Sequence, residues 1–213
     1  MSGMKVHSPN ALLAGGFSGF IDFREGGAEG CRMLREASGS AVILGRPVSE
    51  AFDGNEADDL LRTADGIGLS GMRDIGSPLC GEPRRSGPRS GEDVRTCTSS
   101  ENRRDDIDSI LALEPDFLVH MCASGRGGSE ERCADSDVPI VVCARSNMYF
   151  GLVPPIKEML DAGVRVAVGT DNAMLCDADS GCGARCFHEC AVSLREETVW
   201  MRSDAWPRAG RRY

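Results

Sequence analysis

The chain has 213 residues, with 33 acidic against 24 basic side chains and a formal net charge of -9. That charge repels nucleic acid and anionic lipid, and so excludes binding classes built on a basic surface. The length suffices to bury the core of one domain and lies near the lower limit for a (β/α)8 barrel.

Lys5 and Lys157 are the only lysines, so nearly all the positive charge is Arg. No run approaches the roughly 20 apolar residues of a membrane-spanning helix. The opening MSGMKVHSPN lacks a basic-then-apolar signal pattern, and a cytoplasmic location is expected. The ten cysteines are scattered through apolar, strand-like runs, as Cys97, Cys122 and Cys143 show. Most read as buried free thiols of a reducing compartment, not as a disulfide framework.

Short runs rich in Val, Ile and Phe alternate with helical patterns, the organisation of parallel βαβ units. The runs lie at residues 19–23 (GFIDF), 41–44 (AVIL), 66–69 (GIGL), 94–98 (VRTCT), 117–121 (FLVHM), 139–143 (PIVVC) and 164–169 (VRVAVG). After the third run, residues 77–93 (SPLCGEPRRSGPRSGED) are crowded with Gly, Pro, Ser and Arg, which predicts a loop where a helix is due. Between the fourth and fifth runs the spacing predicts a helix from about Asn102 to Leu113, with Ile107, Ile110, Leu111 and Leu113 on its apolar side. Between the sixth and seventh, Pro154 to Gly163 predicts a helix that two prolines start and a glycine stops, with Ile156, Met159 and Leu160 on one face. From about Cys176 the rhythm is lost.

Right-handed crossovers repeated along such a chain curl a parallel sheet toward closure. The expected architecture is therefore α/β, an incomplete (β/α)8 TIM-type barrel of about seven parallel strands with the first strand missing. It covers residues 1–175 and is followed by an irregular tail over 176–213. Two open sheet edges would offer a route to homo-oligomers.

Functional residues of such a barrel cluster at the carboxyl ends of its strands. Asp171 follows the last run in Gly169-Thr170-Asp171-Asn172, His120 lies near the end of the fifth, Glu101 follows the fourth, and Ser146 and Asn147 follow the sixth. Taken singly, each has an ordinary structural explanation: Asp171 as a turn or cap, His120 as a core histidine, Glu101 as a charge at a helix start. Together at one mouth, a carboxylate pair and an imidazole suit hydrolysis in which protons are exchanged with water and a metal lowers the pKa of that water toward about 7.

The segments DFLVHM, PIVVCARSN and GTDNAML, in this order between Asp116 and Leu175, resemble the amidohydrolase superfamily, in particular its cytosine-deaminase and chlorohydrolase-like branch. GFIDFREGG and DGIGLSG resemble its second- and fourth-strand segments, so the resemblance covers roughly residues 15–175. It implies one divalent metal, zinc or iron, held by a His-x-His pair on the first strand, a fifth-strand His and an eighth-strand Asp. It implies a small-molecule substrate, an aminated heterocycle, cleaved at a C-N bond. By position, Asp171 would be metal ligand and proton acceptor, Glu101 the proton shuttle, and His120 the sixth-strand histidine that orients water or substrate. Ser146 and Asn147 of the CPRSN-like turn would contact substrate.

This chain departs from that pattern. No His-x-His and no first strand precede the GFIDF run, and the fifth-strand ligand position, three before Glu101, is Thr98. Cys97 is adjacent but should point away from the mouth, since successive strand residues face opposite sides. Ala144 stands where the motif has Pro. The expectation is an impaired hydrolase, N-terminally truncated and degraded. The alternative is a catalytically inactive remnant or a binding module on the same scaffold. A separate structural metal site in the tail would use Cys182, Cys186, His188 and Cys190.

Overall fold

The computed structural model describes residues 19–49, 53–69, 71, 94–124, 128–172, 188 and 190. In chain order its elements are β1 (Phe20–Arg24), α1 (Gly27–Ala37), β2 (Ala41–Gly45), α2 (Gly54–Thr63), β3 (Gly66–Leu69) and β4 (Val94–Ser99). There follow α3 (Ile107–Leu111), β5 (Phe117–His120), α4 (Ser129–Asp135), β6 (Ile140–Val142), α5 (Ala144–Tyr149), α6 (Ile156–Asp161) and β7 (Val166–Val168). Each of the seven expected runs is a strand. They form one sheet in the order β1-β2-β3-β4-β5-β6-β7, and every neighbouring pair is parallel. This is the incomplete (β/α)8 fold. No helix among the described residues is long and apolar enough to cross a membrane.

The helices start where local chemistry satisfies their first N–H groups. The Asp53 carboxylate accepts from Asn55 N and caps α2, and Asp106 does the same for α3 through Asp108 N. Glycine is required at the start of α1, because a Cβ at Gly30 would lie 1.9 Å from the Glu25 carbonyl oxygen. Pro154 and Pro155 precede α6, and Gly163, at φ 85°, follows it as expected.

The expected helix from Asn102 begins later, at Ile107. Asp105 Oδ2 accepts from Ser100 N at 2.6 Å and Asp105 N donates to Ser100 Oγ at 3.0 Å, a closed pair that holds residues 100–105 out of helical geometry. The CARSN segment, expected as a turn, opens α5 instead. Ala144 is its first residue, a position at which proline is common in helices. The expected loop at residues 77–93 lies outside the described residues.

Alternation along the strands separates two layers of core. Ile43, Leu118, Ile140 and Val142 face outward onto the helices and are fully buried, each stabilising the fold by about 1.5–3 kcal/mol. Cys97 lies in this outer layer with Ile110, Leu118 and Met159, so it does not reach the mouth. Ile21, Phe23, Val42, Leu44, Phe117, Val119, Val141 and Cys143 pack together on the other face. Phe23 of β1 meets Phe117 of β5 edge to face, with centroids 6.5 Å apart. Strands four places apart in a flat sheet would stand nearly 20 Å from each other at about 4.8 Å per strand. The contact therefore requires the sheet to curl, and it brings the strand ends toward one mouth.

Candidate active site

The chain after β4 and the chain after β5 are stitched together beyond the end of the sheet. Met121 N donates to the Ser99 carbonyl at 3.0 Å and Ala123 N to the Ser100 carbonyl at 2.6 Å. Glu101 and His120 are thereby held side by side, with Glu101 Oε1 4.0 Å from His120 Nε2. His120 is almost wholly buried, whereas Glu101 is one-third exposed.

Asp171 arrives from β7. Gly169 N donates to the Val142 carbonyl at 2.9 Å, and a Cβ at Gly169 would come within 2.9 Å of both Cys143 Sγ and Val141 Cγ1. Only glycine lets the chain pass so close over β6, and the passage delivers Asp171 to α5, where Ser146 Oγ donates to Asp171 Oδ2. One donor atom from each of Glu101, His120 and Asp171 falls within 4.8 Å of the others. Among the described residues no other group of three such side chains converges in this way.

Six non-glycine residues among those described have positive φ, and four of them, Ser100, His120, Met121 and Asp171, border this mouth. Left-handed backbone costs on the order of 1–3 kcal/mol per such residue and persists where surrounding contacts impose it, which is characteristic of functional sites. By alternation His120 would continue outward like Leu118. The left-handed turn at His120 and Met121 re-aims it.

Ser146 and Asn147 are both fully buried in the first turn of α5. Asn147 Nδ2 lies 3.1 Å from His120 Nδ1, and Asn147 Oδ1 has no hydrogen-bond partner among the described residues. No sequence signal announced either the Ser146–Asp171 or the Asn147–His120 contact, whose partners are separated by 25 and 27 residues.

Two thiols border the site. Burial, with the Asp171 charge adding to it, pushes the Cys143 thiol far above its ordinary value. Burial and then the Glu101 charge push Cys122 up to about 12. In both, burial disfavours the charged thiolate that a nucleophile would need. Of the suggested tail cluster, Cys182 and Cys186 lie outside the described residues. His188 is exposed, and Cys190 is buried in the outer core layer.

The family resemblance implies a metal at this mouth. Two carboxylates and an imidazole are the right kinds of donor, and they number the three that a catalytic zinc takes beside its open position. Thr98, at the expected fifth-strand ligand position, offers a neutral hydroxyl whose Oγ1 donates to the Leu69 carbonyl at 3.5 Å. His120 engages Asn147 through Nδ1, which leaves Nε2 toward the mouth. Glu101, His120 and Asp171 are thus a candidate metal site, although the described residues depart from the family's ligand set at Thr98.

No family model matches the chain. A protein of Archaeoglobus fulgidus provisionally named aminohydrolase is 36% identical over 164 residues, covering 76% of this chain and 47% of its own length. A second such protein, of Methanothermobacter thermautotrophicus, is 31% identical over 195 residues, covering 81% of this chain and 50% of its own length. These relatives support an amidohydrolase-type deaminase family. The chain spans about half the length of the curated relatives it matches. In structure it is similar to Arabidopsis ADAL complexed with GMP, with a TM-score of 0.56 at 13% identity over 88% of this chain and 69% of that one. At that identity the likeness concerns the fold alone.

Proposed function

We propose that the mouth formed by Glu101, His120 and Asp171 belongs to a hydrolytic deaminase of the cytosine-deaminase and chlorohydrolase-like branch, acting on a C-N bond of an aminated heterocycle. The observation that carries this reading is the convergence of these three side chains, from three different strand ends, within 4.8 Å. In the net reaction water adds to the ring carbon, the C-N bond breaks, and the products are the oxo heterocycle and ammonia. Glu101, one-third exposed at the mouth, takes the proton from the attacking water and returns it to the leaving nitrogen. His120, buried beside it, orients the reacting group by a hydrogen bond. Asp171, held by Ser146, accepts a proton or binds a cation.

The resemblance implies a divalent metal, zinc or iron, which when bound would supply activated water. The described residues contribute Asp171 as its one ligand by position, with Thr98 where a histidine would add another. We infer that hydrolysis by this chain is impaired for that reason. Purified protein, Glu101→Gln and Thr98→His are to be compared for ammonia release from aminopyrimidines and aminopurines with added zinc or iron, and for bound metal by elemental analysis. The expected result is more bound metal and faster release with Thr98→His, and loss of release with Glu101→Gln. Ammonia release that is absent in every version, Thr98→His included, overturns the reading. Thr98 also favours a second reading, a binding module on the same scaffold. Calorimetric binding of the same heterocycles without ammonia release, in Thr98→His as well, would establish that one.

A further inference from the structure

We infer that Asn147 is a positioning residue that fixes the tautomer of His120, keeping the ring proton on Nε2 so that an N–H donor, not a lone pair, faces the mouth. Sequence position alone made Asn147 a substrate contact. In the structure it is fully buried behind the histidine ring, and its amide nitrogen lies 3.1 Å from Nδ1. An amide nitrogen only donates, so Nδ1 accepts, and the proton of a neutral ring is left to Nε2.

Two observations support this orientation of the amide. Nε2 lies 4.0 Å from Glu101 Oε1, in a mouth shared with Asp171. An N–H on Nε2 is attracted by the neighbouring carboxylates, where a lone pair would be repelled. Reversing the amide would leave both its N–H groups buried without partners, where the present orientation leaves one oxygen and one N–H, and orphaned donors are rarer in folded proteins than under-satisfied acceptors. The backbone of the residue is fixed as well. Asn147 N donates to the Cys143 carbonyl at 2.9 Å, and the Asn147 carbonyl accepts from Leu152 N at 2.8 Å and Phe150 N at 3.0 Å, which clamps the residue in the first turn of α5. The arrangement follows the general rule that the hydrogen bond at one ring nitrogen decides the state of the other.

The proton assignment stands on geometry alone; its catalytic meaning, a donor that holds the reacting group at the mouth, rests on the deaminase reading. Ring nitrogens of the 15N-labelled full chain, observed by long-range 1H–15N correlation at a pH where the rings are neutral, test it. The chain has three histidines, and His7→Gln and His188→Gln assign the remaining signals to His120. A pyrrole-like Nε2 and a pyridine-like Nδ1 are expected in the wild type. Asn147→Asp replaces the donor with an acceptor and should move the proton to Nδ1, whereas Asn147→Gln, whose amide keeps a donor, should leave it on Nε2. A wild-type ring protonated at Nδ1 overturns the inference whether or not any variant folds, and so does an Asn147→Asp ring that keeps its proton on Nε2. If the protein releases ammonia, Asn147→Asp should lower kcat by about 10²-fold with a smaller change in KM. A protein that releases none defeats the deaminase reading but leaves the proton assignment to the nuclear resonance result.

Discussion

Gly68→Ala tests the curled interior that gathers the strand ends. The register places Gly68 opposite Thr96, on the face where Phe23 crosses to Phe117. A Cβ at Gly68 would lie 2.6 Å from Phe23 Cδ1, 3.0 Å from Phe23 Cε1 and 3.3 Å from Leu44 Cβ. The Phe23 ring cannot retreat freely because the buried Phe117 ring stands behind it. Overpacking of this kind costs about 1–3 kcal/mol, against about 0.5–1 kcal/mol gained by replacing a strand glycine with alanine. The net loss expected is about 0.5–2 kcal/mol. Phe23→Leu removes the ring edge and the aromatic pair, itself worth about 0.5–1.5 kcal/mol. On that background Gly68→Ala should cost nothing or stabilise by about 0.5–1 kcal/mol. Urea unfolding followed by far-UV circular dichroism, with unchanged m-values, gives the four stabilities of the cycle. Equal costs of Gly68→Ala in both backgrounds would refute the packing argument.

Burial raises the Asp22 carboxyl above its ordinary value, with the Arg24 guanidinium opposing and Glu25 adding to the rise. A carboxyl raised in the folded state favours folding fully only below its unfolded value, and that contribution is lost as pH rises through the raised value. Asp22→Asn should therefore be more stable than wild type at pH 7, with the advantage fading as pH falls through the raised value and gone below about 4; a pH-independent difference in urea midpoints would contradict it. Cys122, pushed up to about 12, should resist iodoacetamide at pH 8 in the folded protein, and Glu101→Gln should speed its alkylation, as read by mass spectrometry of peptides. Ser124 Oγ donates to the buried Glu130 carboxylate, so Ser124→Ala should cost about 1.5–3 kcal/mol in the same urea assay, and a loss below about 0.5 kcal/mol would disprove that role.

The strands were legible because a buried parallel strand leaves an apolar run, and GIGL at residues 66–69 became β3 with unchanged bounds. The helix at Ile107 was misjudged at its start because the carboxylate of Asp105 has two possible uses, at a helix N-terminus or on the Ser100 backbone. Which one prevails depends on where β4 ends, and periodicity does not record that. The site was legible only as positions at strand ends. Glu101, His120 and Asp171 could be named from that rule, but the direction of His120 depends on positive φ at two successive non-glycine residues, which propensity would not predict.

The sequence by itself determined the order and spacing of seven strands and the residue types at their ends, since these depend on local apolar patterning and on turn chemistry. Tertiary structure alone decided that side chains up to 70 residues apart share one mouth. That convergence depends on the curl of the sheet, set by Phe23 against Phe117 and by glycines where no Cβ fits. It also decided that Asn147 stands behind His120 and not before it. Such contacts are sums of many small rotations and close packings, and no window of sequence contains them.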